Sequence, residues 1–117
     1  MLMLPASVRI YVASGPVDLR KGFDGLSGLV RNRFGCDPLD GALYVFFSRS
    51  RRSVKILWWD RDGFAIWHKR IERSRYRLPE AVPGSDKVRM EWPDLALLLE
   101  GIELRGARRR PRWQRAG

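Results

Sequence analysis

The segment ALYVFFSRSRRSVKILWWDRDGFAIWHKRI, residues 42–71, decides the fold. It contains runs rich in β-branched and aromatic residues at 42–48, 53–59 and 64–71, and short polar segments of Arg, Ser, Asp and Gly separate these runs. Apolar runs of this length with short connections are typical of consecutive antiparallel strands. The segment therefore predicts a β-meander.

The connection between the second and third runs is the clearest turn signal in the chain. Asp60-Arg61-Asp62-Gly63 combines turn-forming carboxylates with a glycine that can adopt a positive φ. Because these residues stand between two strand-like runs, we expect a tight hairpin here.

The residues before the meander change from a strand pattern to a helix pattern. Residues 8–13 alternate apolar with polar or small side chains and end at Ser14-Gly15-Pro16, which predicts a short strand and a turn. Asp18 is the expected N-cap of the following helix, and Gly35 is placed to end it. The helix is indicated by apolar residues at steps of three and four: Leu19, Phe23, Leu26, Val30 and Phe34.

The residues after the meander complete the predicted domain. Residues 75–78 and 87–92 are candidates for edge strands, and Trp92-Pro93-Asp94 begins a short helix, since proline is tolerated in a first helical turn. We predict one α+β domain over residues 1–104: an antiparallel β-sheet meander with a helix packed on one face and a short C-terminal helix. Residues 105–117 are rich in arginine and form a predicted flexible tail.

The composition favours a polyanionic partner. The chain has 117 residues, with 23 Lys and Arg against 13 Asp and Glu, and a formal net charge of +10. Such a field favours nucleic acid, although an anionic membrane or an acidic protein face would exploit the same charge. The single cysteine, Cys36, excludes an internal disulfide and suits a reducing cytoplasm. Because no apolar run is long enough for a signal-peptide core or a membrane span, we expect a soluble cytoplasmic protein.

Few residues suit catalysis. The only histidine, His68, lies on a predicted strand, where a surface or packing role is commoner than that of a general base. Asp60 and Asp62 could hold a divalent cation, but turn formation explains them more simply. We therefore predict no enzyme activity, no metal site and no cofactor, with a metal-dependent nuclease as the least favoured alternative.

Basic residues interleaved with aromatic residues form the strongest functional signal. Arginine donates paired hydrogen bonds to phosphate, and exposed aromatic rings can stack on unpaired bases. On a meander these cations could gather at one end and one edge of the sheet. For the tryptophans we favour burial in the core: Trp58, Trp59, Trp67 and Trp92. The predicted nucleic-acid-binding residues are Arg49, Arg51, Arg52, Lys55, Lys69, Arg70, Arg73 and Arg75 in the domain and Arg108, Arg109, Arg110 and Arg112 in the tail.

Ordered blocks of the chain resemble a known family. They are GPVDLRKGFDGL at 15–26, GALYVF at 41–46 and VKILWWDRDGF at 54–64, with shorter matches at 67–70, 78–79 and 98–102. Together they resemble the small TnpB-type accessory protein of a bacterial insertion-sequence family, which is unrelated to the RNA-guided nuclease of the same name. The resemblance covers nearly the whole chain and departs from the family pattern at Ser74, where Gly is usual, and at His68, where Tyr is usual.

The resemblance implies a protein that assists transposition while a separate, larger transposase carries the cutting chemistry. We therefore expect a non-catalytic accessory protein of a mobile element, with DNA or RNA and the transposase of the same element as partners, and no membrane partner. Self-association into a homo-oligomer is a further expectation. The main alternative is a protein-interaction adaptor or self-associating scaffold that makes no direct contact with nucleic acid.

Overall fold

A computed structural model describes residues 7–100 and confirms an α+β fold. Its elements are β1 (Ile10–Ala13), α1 (Phe23–Asn32), β2 (Leu43–Phe47), β3 (Ser53–Asp60), β4 (Gly63–Arg70), β5 (Lys87–Met90) and α2 (Trp92–Glu100). The strands form one five-stranded sheet in the order β4-β3-β2-β1-β5. The arginine-rich tail predicted at 105–117 lies outside the described residues.

The central strand β2 is buried at every position. Because side chains alternate along a strand, both faces of the sheet must be covered by apolar layers. On one face, Leu26, Val30 and Phe34 from the α1 region pack on β2 and β3. On the other face, Leu95 and Leu98 of α2 join the buried ring of Tyr76 against the sheet.

The sheet contains both parallel and antiparallel strand pairs, and only the meander of β2, β3 and β4 was predicted. The meander is confirmed, because β2 pairs antiparallel with β3, and β3 pairs antiparallel with β4. However, β1 pairs parallel with β2 and antiparallel with β5. The segment between β1 and β2 contains α1, and a connection of that length allows the crossover that parallel strands require.

The start of α1 differs from the prediction. The helix begins at Phe23 after Gly22, and no side chain caps its N-terminus. The predicted N-cap, Asp18, is wrong: its carboxylate accepts hydrogen bonds from the backbone N–H and the guanidinium of Arg20, at 3.0 and 2.8 Å. These bonds hold the pKa of Asp18 well below its usual range. At the other end, Gly35 follows the helix with φ 64°, as expected of a helix-ending glycine.

Of two further local predictions, one is wrong and the other is confirmed with a change in detail. Residues 75–78 do not form a strand, because the ring of Tyr76 is buried 5.3 Å from that of Phe47 and draws the segment onto the sheet face. The tight hairpin between β3 and β4 is confirmed, but its positive φ of 55° belongs to Arg61, while Gly63 already lies in β4.

Two lysines on the sheet hold the two ends of the α1 segment. Lys55 of β3 donates from Nζ to the carbonyl oxygens of Leu19 and Lys21, at 2.6 and 3.0 Å. Lys87 of β5 donates from Nζ to the carbonyl oxygen of Phe34, at 2.7 Å. These ammonium groups satisfy carbonyls that have no partner within the helix, and they fix its entry and exit over the sheet.

Replacing Lys55 with methionine should destabilise the fold. Lys55→Met keeps the length and apolar stem of the side chain but leaves two carbonyl oxygens without their donor, which should cost about 1–3 kcal/mol of unfolding free energy. Urea unfolding measures the loss. The matched control is Lys69→Met, because Lys69 is exposed on β4 and should change the value by less than about 0.5 kcal/mol. Equal effects of the two substitutions would contradict a structural role for Lys55.

Replacing Ser74 with glycine should stabilise the fold. Ser74 has φ 70°, a left-handed conformation that strains residues with a Cβ atom. Ser74→Gly relieves that strain, of roughly 1–2 kcal/mol, although the freer unfolded chain offsets part of the gain. Ser74→Ala retains the Cβ atom and should stay close to the wild type in the same urea experiment. A glycine variant less stable than the alanine variant would refute this account.

Candidate nucleic-acid interface

The strand register brings most of the predicted basic residues to one end of the sheet. At this end β2 finishes, β3 begins and β4 finishes, with Ser53 opposite Arg70 and Val54 opposite Lys69. The loop after β4 returns to the same place, because the backbone N–H of Tyr76 donates to the carbonyl oxygen of Arg51. The resulting surface is termed the basic end and comprises Arg49, Arg51, Arg52, Lys69, Arg70, Arg73, Arg75 and Arg77.

The turn between β2 and β3 satisfies its backbone with serine side chains. Ser48 Oγ accepts from the N–H of Ser53 at 3.1 Å, and Ser50 Oγ accepts from the N–H of Arg52 at 3.4 Å. Arg51 takes a positive φ of 60° within this turn. The arginine side chains are therefore not needed to hold the turn together, and all three lie exposed: Arg49, Arg51 and Arg52.

Five of the eight cations of this surface form no ion pair within the described residues. Arg70 pairs with Glu72 at 3.5 Å, and both side chains are more than half exposed. Within residues 7–100, no carboxylate forms an ion pair with five of its cations: Arg49, Arg51, Arg52, Lys69 and Arg73. A bound polyanion would relieve the mutual repulsion of these five cations, so the surface favours the binding of phosphates.

Two grooves lie on either side of the turn. One has a volume of about 550 Å³ and is lined by Arg51, Ser74, Arg75, Tyr76, Arg77 and Leu78. The other has a volume of about 570 Å³ and is lined by Val17, Asp18, Leu19, Arg20, Ser48, Arg49, Ser50, Ser53 and His68. The predicted binding residues did not include Arg20, which lines the second groove, because the parallel crossover that brings its loop beside the turn has no local signature.

Some predicted binding residues lie elsewhere. Lys55 directs its ammonium group to the carbonyl oxygens of Leu19 and Lys21, so it holds the start of the α1 segment against the sheet. The tail residues Arg108, Arg109, Arg110 and Arg112 lie outside the described residues. The tryptophans are half-buried: Trp58, Trp67 and Trp92 pack against the core on the face of the sheet that α2 covers, and Trp59 meets the ring of Phe64 edge-on at 5.1 Å.

The aspartates of the hairpin lie far from the basic end. Asp60 and Asp62 are at the tip between β3 and β4, so the length of β4 separates them from Arg70, roughly 23 Å at 3.3 Å per residue. Among residues 7–100, no group of three or more His, Cys, Asp and Glu side chains could hold a metal ion. Neither helix of this same part combines the length and the apolar character that crossing a membrane requires.

Comparisons with known proteins identify a family and two relatives of the chain. A family model described as IS66 Orf2 like protein matches residues 8–109. The chain is 37% identical over 105 residues to the uncharacterized protein y4hO of Sinorhizobium fredii, covering 88% of this chain and 90% of the relative. It is also 30% identical over 104 residues to the uncharacterized protein y4jC of the same organism, covering 89% and 87%. No solved structure matches the chain.

The titration of His68 should report polyanion binding at the second groove. Burial, with the nearby charges of Lys55 and Arg70, lowers the pKa of His68 below its ordinary 6.5, while Asp18 of the same groove is engaged by Arg20. A phosphate in the groove favours the imidazolium, so binding should raise this pKa, and affinity should increase as pH falls from about 7 towards about 5.5.

NMR of the imidazole protons measures this shift without ambiguity, because His68 is the only histidine. His68→Gln serves as the control and should lose the pH dependence in this window while retaining the binding seen at about pH 8. An imidazole pKa that stays constant when oligonucleotide is added would show that phosphate does not enter this groove.

Proposed function

The chain belongs to the IS66 Orf2-like family, and from this premise we propose that it is a non-catalytic accessory protein that assists transposition by binding nucleic acid at its basic end. The observation that carries the proposal is the concentration of arginine and lysine at one end of the sheet, where five cations have no carboxylate partner within residues 7–100. The family membership supplies the biological setting, which is a bacterial insertion sequence, and we expect the protein to act in the cytoplasm.

The basic end is suited to phosphate contact rather than to reading base edges. Its cations stand on a turn and a loop, and arginine on such exposed supports binds phosphate through paired hydrogen bonds. The described helices are poorly suited to reading base edges, because Arg31 is the only basic residue of α1 and α2 contains none. We expect affinity with little sequence preference, and the setting of an insertion sequence favours DNA of the element as the ligand.

The same geometry argues against a nuclease. A metal-dependent cleavage site needs carboxylates next to the bound phosphates. Asp60 and Asp62 stand at the far end of the β3–β4 hairpin from the basic end, roughly 23 Å away along β4. Phosphates bound at the basic end are therefore out of reach of the aspartates of the same molecule, and we favour a role in positioning DNA for the transposase.

Removing charge from the basic end should abolish most nucleic-acid binding. In the triple variant Arg49→Ala, Arg52→Ala and Arg73→Ala, affinity at low salt should fall at least about 10-fold, and the log–log salt slope should decrease by about 0.9 for every phosphate that is no longer bound. Fluorescence anisotropy with transposon-end DNA, unrelated DNA and RNA, between about 50 and about 300 mM salt, measures both quantities.

A second triple variant provides the matched control. Arg31→Ala, Arg61→Ala and Arg89→Ala remove the same charge from exposed positions on α1, the hairpin tip and β5. This control should bind within about 3-fold of the wild type, because direct phosphate contacts, rather than net charge, set affinity at close range. Equal losses in the two triples would contradict a localised interface.

The adaptor alternative makes the opposite prediction. If the wild type ignores nucleic acids of every kind at low salt, yet captures the transposase of its element after nuclease treatment, then the basic end is a protein-binding surface and the proposal is wrong.

A further inference from the structure

The outer edge of β4 is a long strand edge without a partner in the described part of the chain. β4 has eight residues, whereas β5 at the opposite edge of the sheet has four. Within residues 7–100, no strand pairs with the side of β4 that faces away from β3. An edge of this kind is a template for pairing with another strand, and proteins usually protect it with proline, bulges or central charges.

The register identifies the backbone groups at this edge. The N–H of Ile71 donates to the carbonyl oxygen of Arg52 at 2.8 Å, which marks Ile71 and Arg52 as a hydrogen-bonded pair. Hydrogen-bonded pairs alternate along an antiparallel ladder, so every second amide of β4 must point away from β3. These outward amides belong to Phe64, Ile66, His68 and Arg70.

The side chains along β4 are apolar in the middle and only half covered. Phe64 and Ile66 pack against the core on the α1 side of the sheet, and Trp67 packs against the core on the α2 side. All three remain partly exposed. The pairing of β3 with β4 runs without a bulge from Asp60 opposite Gly63 to Ser53 opposite Arg70, and β4 contains no proline. None of the usual protective devices interrupts the middle of this edge.

The charges at the two ends of β4 decide which partner strand fits. Asp62 precedes the strand, while Lys69 and Arg70 end it; Arg61 offsets part of the acidic charge in the turn, and Glu72 offsets part of the basic charge at the other end. Two copies of β4 placed antiparallel about Ile66 bring Asp62 of each copy opposite Arg70 of the other. A parallel arrangement would place like charges together, which is unfavourable.

We propose that two copies of this chain pair antiparallel through β4 and form one sheet that is continuous across both copies. Antiparallel pairing reverses the strand direction, so the two basic ends point to opposite sides of the dimer. On the proposed function, such a dimer holds two nucleic-acid segments at once. The pairing itself needs no nucleic acid and is tested without it.

Sedimentation of the nuclease-treated full chain at several concentrations tests the dimer. We expect a monomer–dimer equilibrium, with Asp62→Arg and Arg70→Asp each raising the dimer Kd about 10-fold or more through like-charge contacts. The double variant restores complementarity and should return to within about 3-fold of the wild type. Asp24→Arg on the exposed start of α1 makes the same charge change elsewhere and should leave the Kd within about 2-fold.

Two further measurements address the backbone. His68→Pro removes an outward amide at an exposed position and should weaken the dimer while leaving Asp62 and Arg70 in place. Hydrogen exchange at the amides of Phe64, Ile66, His68 and Arg70 should slow as the concentration rises.

Three outcomes would overturn the proposal. They are a monomer at every concentration up to about 1 mM, a dimer that none of these variants weakens, and edge amides protected in the monomer because another part of the same chain covers them. Each outcome is independent of nucleic-acid affinity, so failure of this inference leaves the proposed function standing.

Discussion

Burial of β2 on both faces is the constraint on which the rest of the structure depends. Each residue from Leu43 to Phe47 is covered, so the sheet needs an apolar layer on either side. The α1 segment supplies one layer, and α2 with Tyr76 supplies the other. A sheet enclosed in this way leaves the ends of its strands and its outer edges to solvent. The charged residues therefore collect at those ends, and the functional surface follows from the way the core is closed.

The basic residues of the chain have two different roles. Lys55 and Lys87 place their ammonium groups on carbonyl oxygens at the two ends of the α1 segment. These lysines stabilise the fold, because each ammonium group donates hydrogen bonds to backbone carbonyl oxygens. The arginines of the β2–β3 turn have no such task, since serine hydroxyls already satisfy that backbone. The net charge of +10 counts these lysines and the exposed arginines alike, so it does not show that the positive potential is concentrated at the basic end.

Features with local causes could be predicted from the sequence, and features with distant causes could not. The meander and its hairpin follow from alternation and from turn residues within a few positions of each other. The N-cap assignment failed because Arg20, two residues away, competes for the carboxylate of Asp18. The parallel pairing of β1 with β2 and the burial of Tyr76 depend on partners far along the chain. For the same reason the sequence indicated the arginines of the interface but not the groove that Arg20 joins.

The β3–β4 hairpin is electrically polar along its length, and its dimensions keep the two poles independent. Its tip carries Asp60 and Asp62, and its other end carries Lys69 and Arg70. The separation along β4, roughly 23 Å, exceeds the Debye length of about 8 Å at physiological salt. The aspartates therefore cannot neutralise the basic end of their own molecule, and their repulsion of phosphates bound there is screened. Only a strand from another copy, running in the opposite direction, brings the two poles into contact.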